Sequence, residues 1–252
     1  MESIFLPSKM YFTAGEKPNE SLLTIEPLHH GYGTTIGNAL RRVLLSSLPG
    51  AAVTAMKIKG VQHEFSATNG VKEDVLDIML NLKKLRMKVH ADEPVTLKLS
   101  VSKHEGEVTA ADIEPNADVE IMNPELVIAT LTDKNATLDM EIVVSRGRGY
   151  LPTEEREEAP TDIGMIAIDA LFSPVRSVGL KVENTRVGEI TNYDKLLMTI
   201  VTDGTVTPQE AVEQATKVLM NHVNWIQGQL QHASLTEQIV RAAEDGQDEN
   251  KE

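Results

Sequence analysis

Apolar positions along the chain fall into two rhythms, one repeating every three to four residues and one alternating every second residue. Helical spacing runs through 34–48 and is closed by Pro49-Gly50, a stop signal. A second helical stretch sets Val71, Val75, Ile78, Met79 and Leu82 on one face. Lys83 and Lys84 fall in its last turn, where they suit the negative end of the helix dipole. A third helix is predicted from Pro208 to about residue 231. Thr207 is placed as its N-cap, Pro208 suits the first helical position, and Glu210 completes a T-x-x-E capping box. Alternation predicts strands over 20–28 and over 51–65, the latter as two strands bent at Gly60. It recurs in VTLKLSVS and ATLDMEIVVS, and in a pair around VGLKVEN and KLLMTIVTD with Asp203-Gly204 as a turn. Residues 147–162 read as a solvated acidic loop carrying Glu154, Glu155, Glu157 and Glu158. Beyond about residue 233 the pattern weakens, and the ending EDGQDENKE predicts a polar, disordered tail.

The first and third helices are too greasy for a simple surface position. On a wheel of about 100° per residue, Asn38, Arg42 and Ser46 form one narrow polar stripe. Ile36, Ala39, Leu40, Val43, Leu44, Leu45 and Leu48 fill most of the remaining circumference. A helix packed on its own domain needs an apolar arc of only about 100° or somewhat more, so two covers are required. One would be its own sheet; the other, the rest of the fold or a second chain. The third helix carries a similar stripe of Ala211, Val212, Ala215, Val218, Leu219, Val223, Trp225, Ile226 and Leu230. It extends for about 35 Å at about 1.5 Å per residue. A two-fold axis would let one such patch serve both copies, which points to a homodimer. Arg41 lies between Leu45 and Leu48 on the wheel and is expected to be partly buried beside a carboxylate or carbonyl. Arg42 admits two readings: an ordinary surface arginine with a snorkelling stem, or an exposed anchor for a partner.

Composition narrows the chemistry. The 252 residues carry 24 basic and 38 acidic side chains, for a net charge of -14. A phosphate-gripping protein would show a basic face and usually a basic total, so a whole-chain nucleic-acid role is disfavoured. Cysteine is absent, which removes disulfides, thiolate ligands and cysteine nucleophiles. The start MESIFLPSKMYF lacks the basic leader and apolar run of a signal peptide, and no apolar run approaches the roughly 20 residues that span a bilayer. A soluble cytoplasmic protein is expected. Gly31, Gly33 and Gly37 suggest a nucleotide loop, but their G-x-G-x-x-x-G spacing and the missing acidic partner do not fit a dinucleotide fingerprint. His29 and His30 lack convincing third and fourth metal ligands, and neither G-x-S-x-G nor H-E-x-x-H occurs. No intrinsic catalytic site, cofactor or metal is expected. Arg146 and Arg148, in a glycine-rich loop, could touch a phosphate, but no aromatic stacking platform accompanies them.

The segment GTTIGNALRRVLLSSLPGAAVT resembles the signature of the α subunit of bacterial DNA-dependent RNA polymerase. The resemblance continues in order through GVQHEFSATNGVKEDVLDIMLNLKKL, VTAADI, DVEIMNPELVIATLTD and SRGRGYLPTEER. It ends with FSPVRSVGLKVENTRVGEITNYDKLLMTIVTDGTVTPQEAV, and so covers about residues 20–230. HGYGTT stands where many members have GFGHT, with the glycines kept. The stretch QHASLTEQIVRAAEDGQDENKE has no match, and no counterpart of the family's separate C-terminal DNA-binding domain is expected in these 252 residues.

The resemblance implies an α+β fold of two subdomains. Residues 1–49 and 173–232 would form a discontinuous dimerisation subdomain, 50–172 an inserted, mainly β subdomain meeting the large subunits, and 233–252 a polar tail or linker. It implies a homodimer with Ile36, Leu40, Val43, Leu44, Leu48, Val218, Leu219, Val223, Trp225 and Ile226 at the seam. The dimer would nucleate assembly of the β and β′ subunits, within a transcribing nucleotidyltransferase that also holds ω and recruits σ. Partner contact is implied for Arg42, Lys83, Ile168 and Asp169, and less specifically for Arg146 and Arg148 of the RGRGY loop. Lys83 also reads as a plain helix C-terminal charge, and RGRGY as a plain glycine loop. No direct DNA contact is expected of this chain. The runner-up reading is an acidic homodimeric interaction module of another multisubunit complex.

Overall fold

The computed structural model describes residues 4–102, 105–156, 162 and 164–248, with side-chain surroundings up to residue 230. Its elements run β1 (Lys9–Ala14), β2 (Glu20–Leu28), α1 (Tyr32–Ser46), β3 (Pro49–Ile58), α2 (Val75–Leu82), β4 (Met87–Val89) and β5 (Val95–Ser102). They continue with β6 (Gly106–Thr109), β7 (Val119–Ile121), β8 (Val127–Leu131), β9 (Thr137–Arg148), β10 (Tyr150–Leu151), β11 (Ile166–Ala167) and β12 (Ala170–Leu171). The chain closes with β13 (Val175–Val187), β14 (Ile190–Thr202) and α3 (Pro208–Asp248). The fold is α+β.

Two antiparallel sheets organise two apolar cores. The first sheet has the order β1-β2-β14-β13. On it Leu23, Ile25, Leu196, Met198 and Ile200 pack against Leu40 and Leu44 of α1, Leu48 just beyond it, and Ala211, Val212 and Ala215 of α3. The second sheet has the order β11-β3-β9-β5. Met56, Ile58, Leu97, Leu99, Met140 and Ile142 from it pack against Val75, Ile78 and Leu82 of α2. The first core draws on 23–48 and 175–215, the second on 53–168. The chain thus leaves one core at β3 and returns at β13.

Several expectations are met in local detail. Thr207 Oγ1 accepts from Glu210 N–H at 3.2 Å, and Glu210 Oε2 accepts from Thr207 N–H at 2.8 Å, forming the capping box. The strand pair forms as β13 and β14, closed at Gly188-Glu189. Asp203-Gly204 makes the turn into α3, with Asp203 Oδ1 accepting from Thr205 N–H at 2.9 Å.

Others are corrected. Residues 61–65 form no strand: β3 stops at Ile58 and the chain turns at Gly60, whose φ is 87°. The second helix starts at Val75 rather than Val71, because the preceding residues are committed to β8. Lys72 N–H donates to Thr130 O, and the Glu73 carboxylate takes both Thr130 N–H and Oγ1–H. Asp74 then caps α2 by accepting from Asp77 N–H at 2.7 Å. Residues 147–156 are not one open loop, since they include the end of β9 and β10, which pairs with β12. Glu157 and Glu158 lie outside the described residues. The expected tail is helical to Asp248, in keeping with a proline-free run that includes several Ala, Gln and Glu.

Candidate functional site

The glycines ahead of α1 serve packing. Gly31, at φ 83°, turns the chain into the helix. Gly33 and Gly37 are buried against the β13–β14 hairpin. A Cβ on Gly37 would overlap Leu180, and one on Gly33 would sit 3.0 Å from Asp194. The orphan amide at Gly33 donates to Asp194 Oδ2 at 3.0 Å, so a buried carboxylate 161 residues away caps α1. His30 Nδ1 lies 3.8 Å from the other carboxylate oxygen. His29 stacks edge-on to Tyr32 and Tyr193.

Seated this way, α1 turns its polar stripe to solvent. Asn38 Nδ2 donates to Thr34 O, Ser46 Oγ donates to Arg42 O, and Arg42 between them is exposed. Arg41 is exposed as well, which corrects the expectation that it would be partly buried. The buried line of α1 is Gly33, Gly37, Leu40 and Leu44, and Arg41 projects beside that line rather than within it.

A second cluster joins residues far apart in sequence. Lys83, the residue that ends α2, places Nζ 3.3 Å from Asp169 Oδ2. Asp169 lies between β11 and β12, and its other oxygen accepts from Thr153 N–H at 3.0 Å. That backbone hydrogen bond, followed by the Lys83 contacts, holds the Asp169 carboxyl below its usual range despite partial burial. Ile168 is 1% exposed and fills the second core, so its side chain is not available to a partner; this corrects its assignment as a contact residue. The local strand alternation explains the difference, sending Ile166 and Ile168 inward and Met165, Ala167 and Asp169 outward. Arg156 braces the segment by donating through Nη1 to Thr54 O at 2.6 Å and through Nη2 to Ile168 O. Burial lowers its pKa. Thr153 and Arg156 were missed in the sequence because LPTEER read there as a charged loop.

The RGRGY stretch has a structural task. Gly50 and Gly147 face each other across β3 and β9. Phe172, 5% exposed, occupies the trough they leave: a Cβ on Gly147 would meet its ring at 2.6 Å, and one on Gly50 would overlap its carbonyl. Arg146 Nη1 donates to Asp92 Oδ1 at 3.0 Å, and Arg148 is exposed.

The residues assigned to a dimer seam divide into three groups. Leu40, Leu44 and Leu48 are buried within the protomer by its own sheet, so they have no area left for a second copy and are corrected to core residues. Ile36, Val43, Val218 and Leu219 are half-buried. Val223, Trp225 and Ile226 are exposed, together with Met220 and Leu230. Beside the first turns of α3, Met10 and Phe12 of β1 line a shallow cleft with Val212, Thr216 and Met220.

Among the described residues no group of three or more His, Asp or Glu is placed to hold a metal, and no helix is long and apolar enough to cross a membrane.

The profile of the RNA polymerase Rpb3/RpoA insert domain family matches residues 56–173. The DNA-directed RNA polymerase subunit alpha of Oceanobacillus iheyensis is 52% identical over 221 residues, covering 88% of this chain and 70% of that protein. The chain belongs to the bacterial RNA polymerase α-subunit family. The Alkaliphilus oremlandii α subunit is 50% identical over 222 residues, 88% of this chain and 69% of its own. That of Moorella thermoacetica is 50% identical over 224 residues, 89% and 71% respectively. The profile match covers nearly the same stretch of α-subunit sequence as the second apolar core, which draws on 53–168.

Proposed function

We propose that this chain is a subunit of DNA-directed RNA polymerase that acts as a homodimeric scaffold, nucleating assembly of the β and β′ subunits without an active site of its own. The observation that carries the reading is the outer face of α3. Met220, Val223, Trp225, Ile226 and Leu230 are all more than half exposed, two of them at 67%. At about 100° per residue Met220, Val223, Ile226 and Leu230 share one side of the helix, with Trp225 a further step of about 100° round from Ile226, and exposed apolar surface of this kind marks an interaction site on a soluble protein. A two-fold axis running past α3 would bury it against its own copy, in an interface of about 2,000 Å² or more.

In this reading residues 1–49 and 173–232 form the dimerisation subdomain, 50–172 the insert that meets the large subunits, and 233–252 a linker. The separation of the two apolar cores supports that division. Arg42 and the Lys83–Asp169 pair are the partner contacts; Arg146 and Arg148 are secondary ones. The working enzyme is the cytoplasmic, nucleoid-associated polymerase with ω and σ, and this chain touches no DNA. The test is reconstitution with purified β and β′. The wild-type dimer should capture both. Arg42→Ala should keep the dimer and lose capture, since truncating an interface arginine commonly costs about 2 kcal/mol or more. Unchanged capture would return Arg42 to an ordinary surface role.

A further inference from the structure

Met10 lies opposite Ile25 on β2 and Phe12 opposite Leu23, so both side chains leave β1 on the side of the first core. There they line the shallow cleft against α3, of about 370 Å³, with Val212, Thr216 and Met220. Most of the polar groups in it are already satisfied. Thr216 Oγ1 donates to Val212 O at 2.8 Å, Glu213 and Lys217 pair at 3.4 Å, and Gln209 completes the lining. An occupant therefore meets apolar side chains and a balanced charge. Met220, the last α3 residue along the cleft, is also the first of the exposed side of α3 that continues through Val223, Ile226 and Leu230.

Immediately before β1 the chain carries three consecutive apolar side chains that its own protomer leaves more than half uncovered: Ile4 is 55% exposed, Phe5 60% and Leu6 88%. Residues 3–8, SIFLPS, hold no charge, which matches the cleft. Pro7 fixes its own φ and biases Leu6 to an extended backbone, so the segment projects as a short arm. Only Pro7 and Ser8 stand between Leu6 and β1. A two-residue reversal sets a segment beside a strand's edge rather than over its face, so this arm does not reach the cleft lined by its own Met10 and Phe12.

We propose that in the homodimer the Ile4–Leu6 arm of each copy crosses to the other copy and packs into its β1–α3 cleft. A two-fold axis running past the outer side of α3 brings the second copy to Met220, where cleft and exposed helix face meet. Exchange then covers two apolar surfaces together, the arm and the cleft, and does so twice per dimer. The inference rests on the homodimer reading and adds to it a reciprocal clasp in which each copy completes the other's first core.

The chain has no cysteine, so single introduced cysteines report the contact. Leu6→Cys and Met220→Cys are placed in separate copies of the full chain, co-expressed, and treated with a short bismaleimide. Because each copy holds one cysteine, a linked peptide joining positions 6 and 220 arises only between copies, and it is the expected product. Leu6→Ala should raise the dimer dissociation constant in sedimentation by about thirtyfold or more, since the leucine is lost twice per dimer, and Leu6→Met should stay near wild type. Copies that sediment as a dimer but yield no 6-to-220 link overturn arm exchange and leave the homodimer reading standing. A chain carrying both substitutions that links only within itself does the same, as does Leu6→Ala at the wild-type dissociation constant. A wild-type chain that sediments as a monomer at micromolar concentration overturns both.

Discussion

Ile226→Ala tests the proposed dimer seam apart from the protomer core. Ile226 is 53% exposed on α3, so about half of its side chain is still available for burial by a second copy. Full burial of an isoleucine side chain is worth about 1.5–3 kcal/mol, which leaves roughly 1 kcal/mol per copy. An isologous interface counts each residue twice, giving about 2 kcal/mol per dimer. The dimer dissociation constant should rise by about thirtyfold. Leu44 is the contrast. It is fully buried within its own protomer, and Leu44→Ala should cost about 2–5 kcal/mol of folding stability through a cavity under α1. Sedimentation equilibrium over a dilution series reads the first effect, and denaturant unfolding of the same samples reads the second. The reasoning fails if Ile226→Ala keeps the wild-type dissociation constant, or if Ile226→Asp remains a soluble dimer, because that face would then be wet in the assembly. It fails differently if Leu44→Ala weakens association while leaving the unfolding midpoint untouched.

Three further outcomes follow from the geometry. Asp194→Ala leaves the Gly33 amide buried without an acceptor and should destabilise the fold by about 1–3 kcal/mol, whereas Asp194→Asn keeps an acceptor and should lose less; paired urea melts compare them, and equal losses would contradict the capping role. Gly147→Ala drives a methyl into the Phe172 ring and should cost about 1–3 kcal/mol, with Phe172→Leu in the same chain restoring part of the loss; no recovery would mean the trough is not filled as described. Asp169 has a lowered folded pKa, so its stabilising contribution is present above its unfolded pKa near about 4 and disappears as pH falls through the lower folded value. Urea melts taken from about pH 6 downward should show Asp169→Asn losing less stability than wild type across that acid window, and parallel curves would refute it.

Much of this arrangement could be read from the chain, and the failures have physical causes. The capping box at Thr207 is local chemistry, three residues wide, and formed as read. Alternation located β5, β9, β13 and β14 because each buries one face. The wheel of α1 gave the breadth of its apolar arc but not the identity of each cover. The hairpin of β13 and β14, with α3, took Leu40, Leu44 and Leu48, leaving the exposed apolar residues of α3 to positions beyond Leu219. The Lys83–Asp169 pair joins residues 86 apart, and no periodicity reports such a meeting. Phe172 was legible only as an apolar residue, since its significance lies in two glycines on other strands.

Those glycines bear on how one chain could present Arg42 and Lys83 together. β3 begins three residues after α1 ends and runs directly into the second sheet, so no flexible linker separates the two cores there. At the return crossing, Phe172 is wedged between Gly50 and Gly147, and Phe172 N–H donates to Gly149 O at 2.9 Å. Asp203 N–H then donates to Pro174 O at 2.9 Å, while Asp203 O accepts from Arg86 Nη1 at 3.0 Å. Arg86 is itself tied by its amide to Asn123 Oδ1 at 2.8 Å, within the second lobe. The return crossing is thus closed by backbone hydrogen bonds together with the Phe172 ring and the Arg86 guanidinium. A rigid relation lowers the ordering cost of binding a large partner at two points at once. Gly33 and Gly37, which at first suggested a nucleotide loop, instead let α1 approach its sheet, and Gly50 and Gly147 make room for Phe172 at the return crossing.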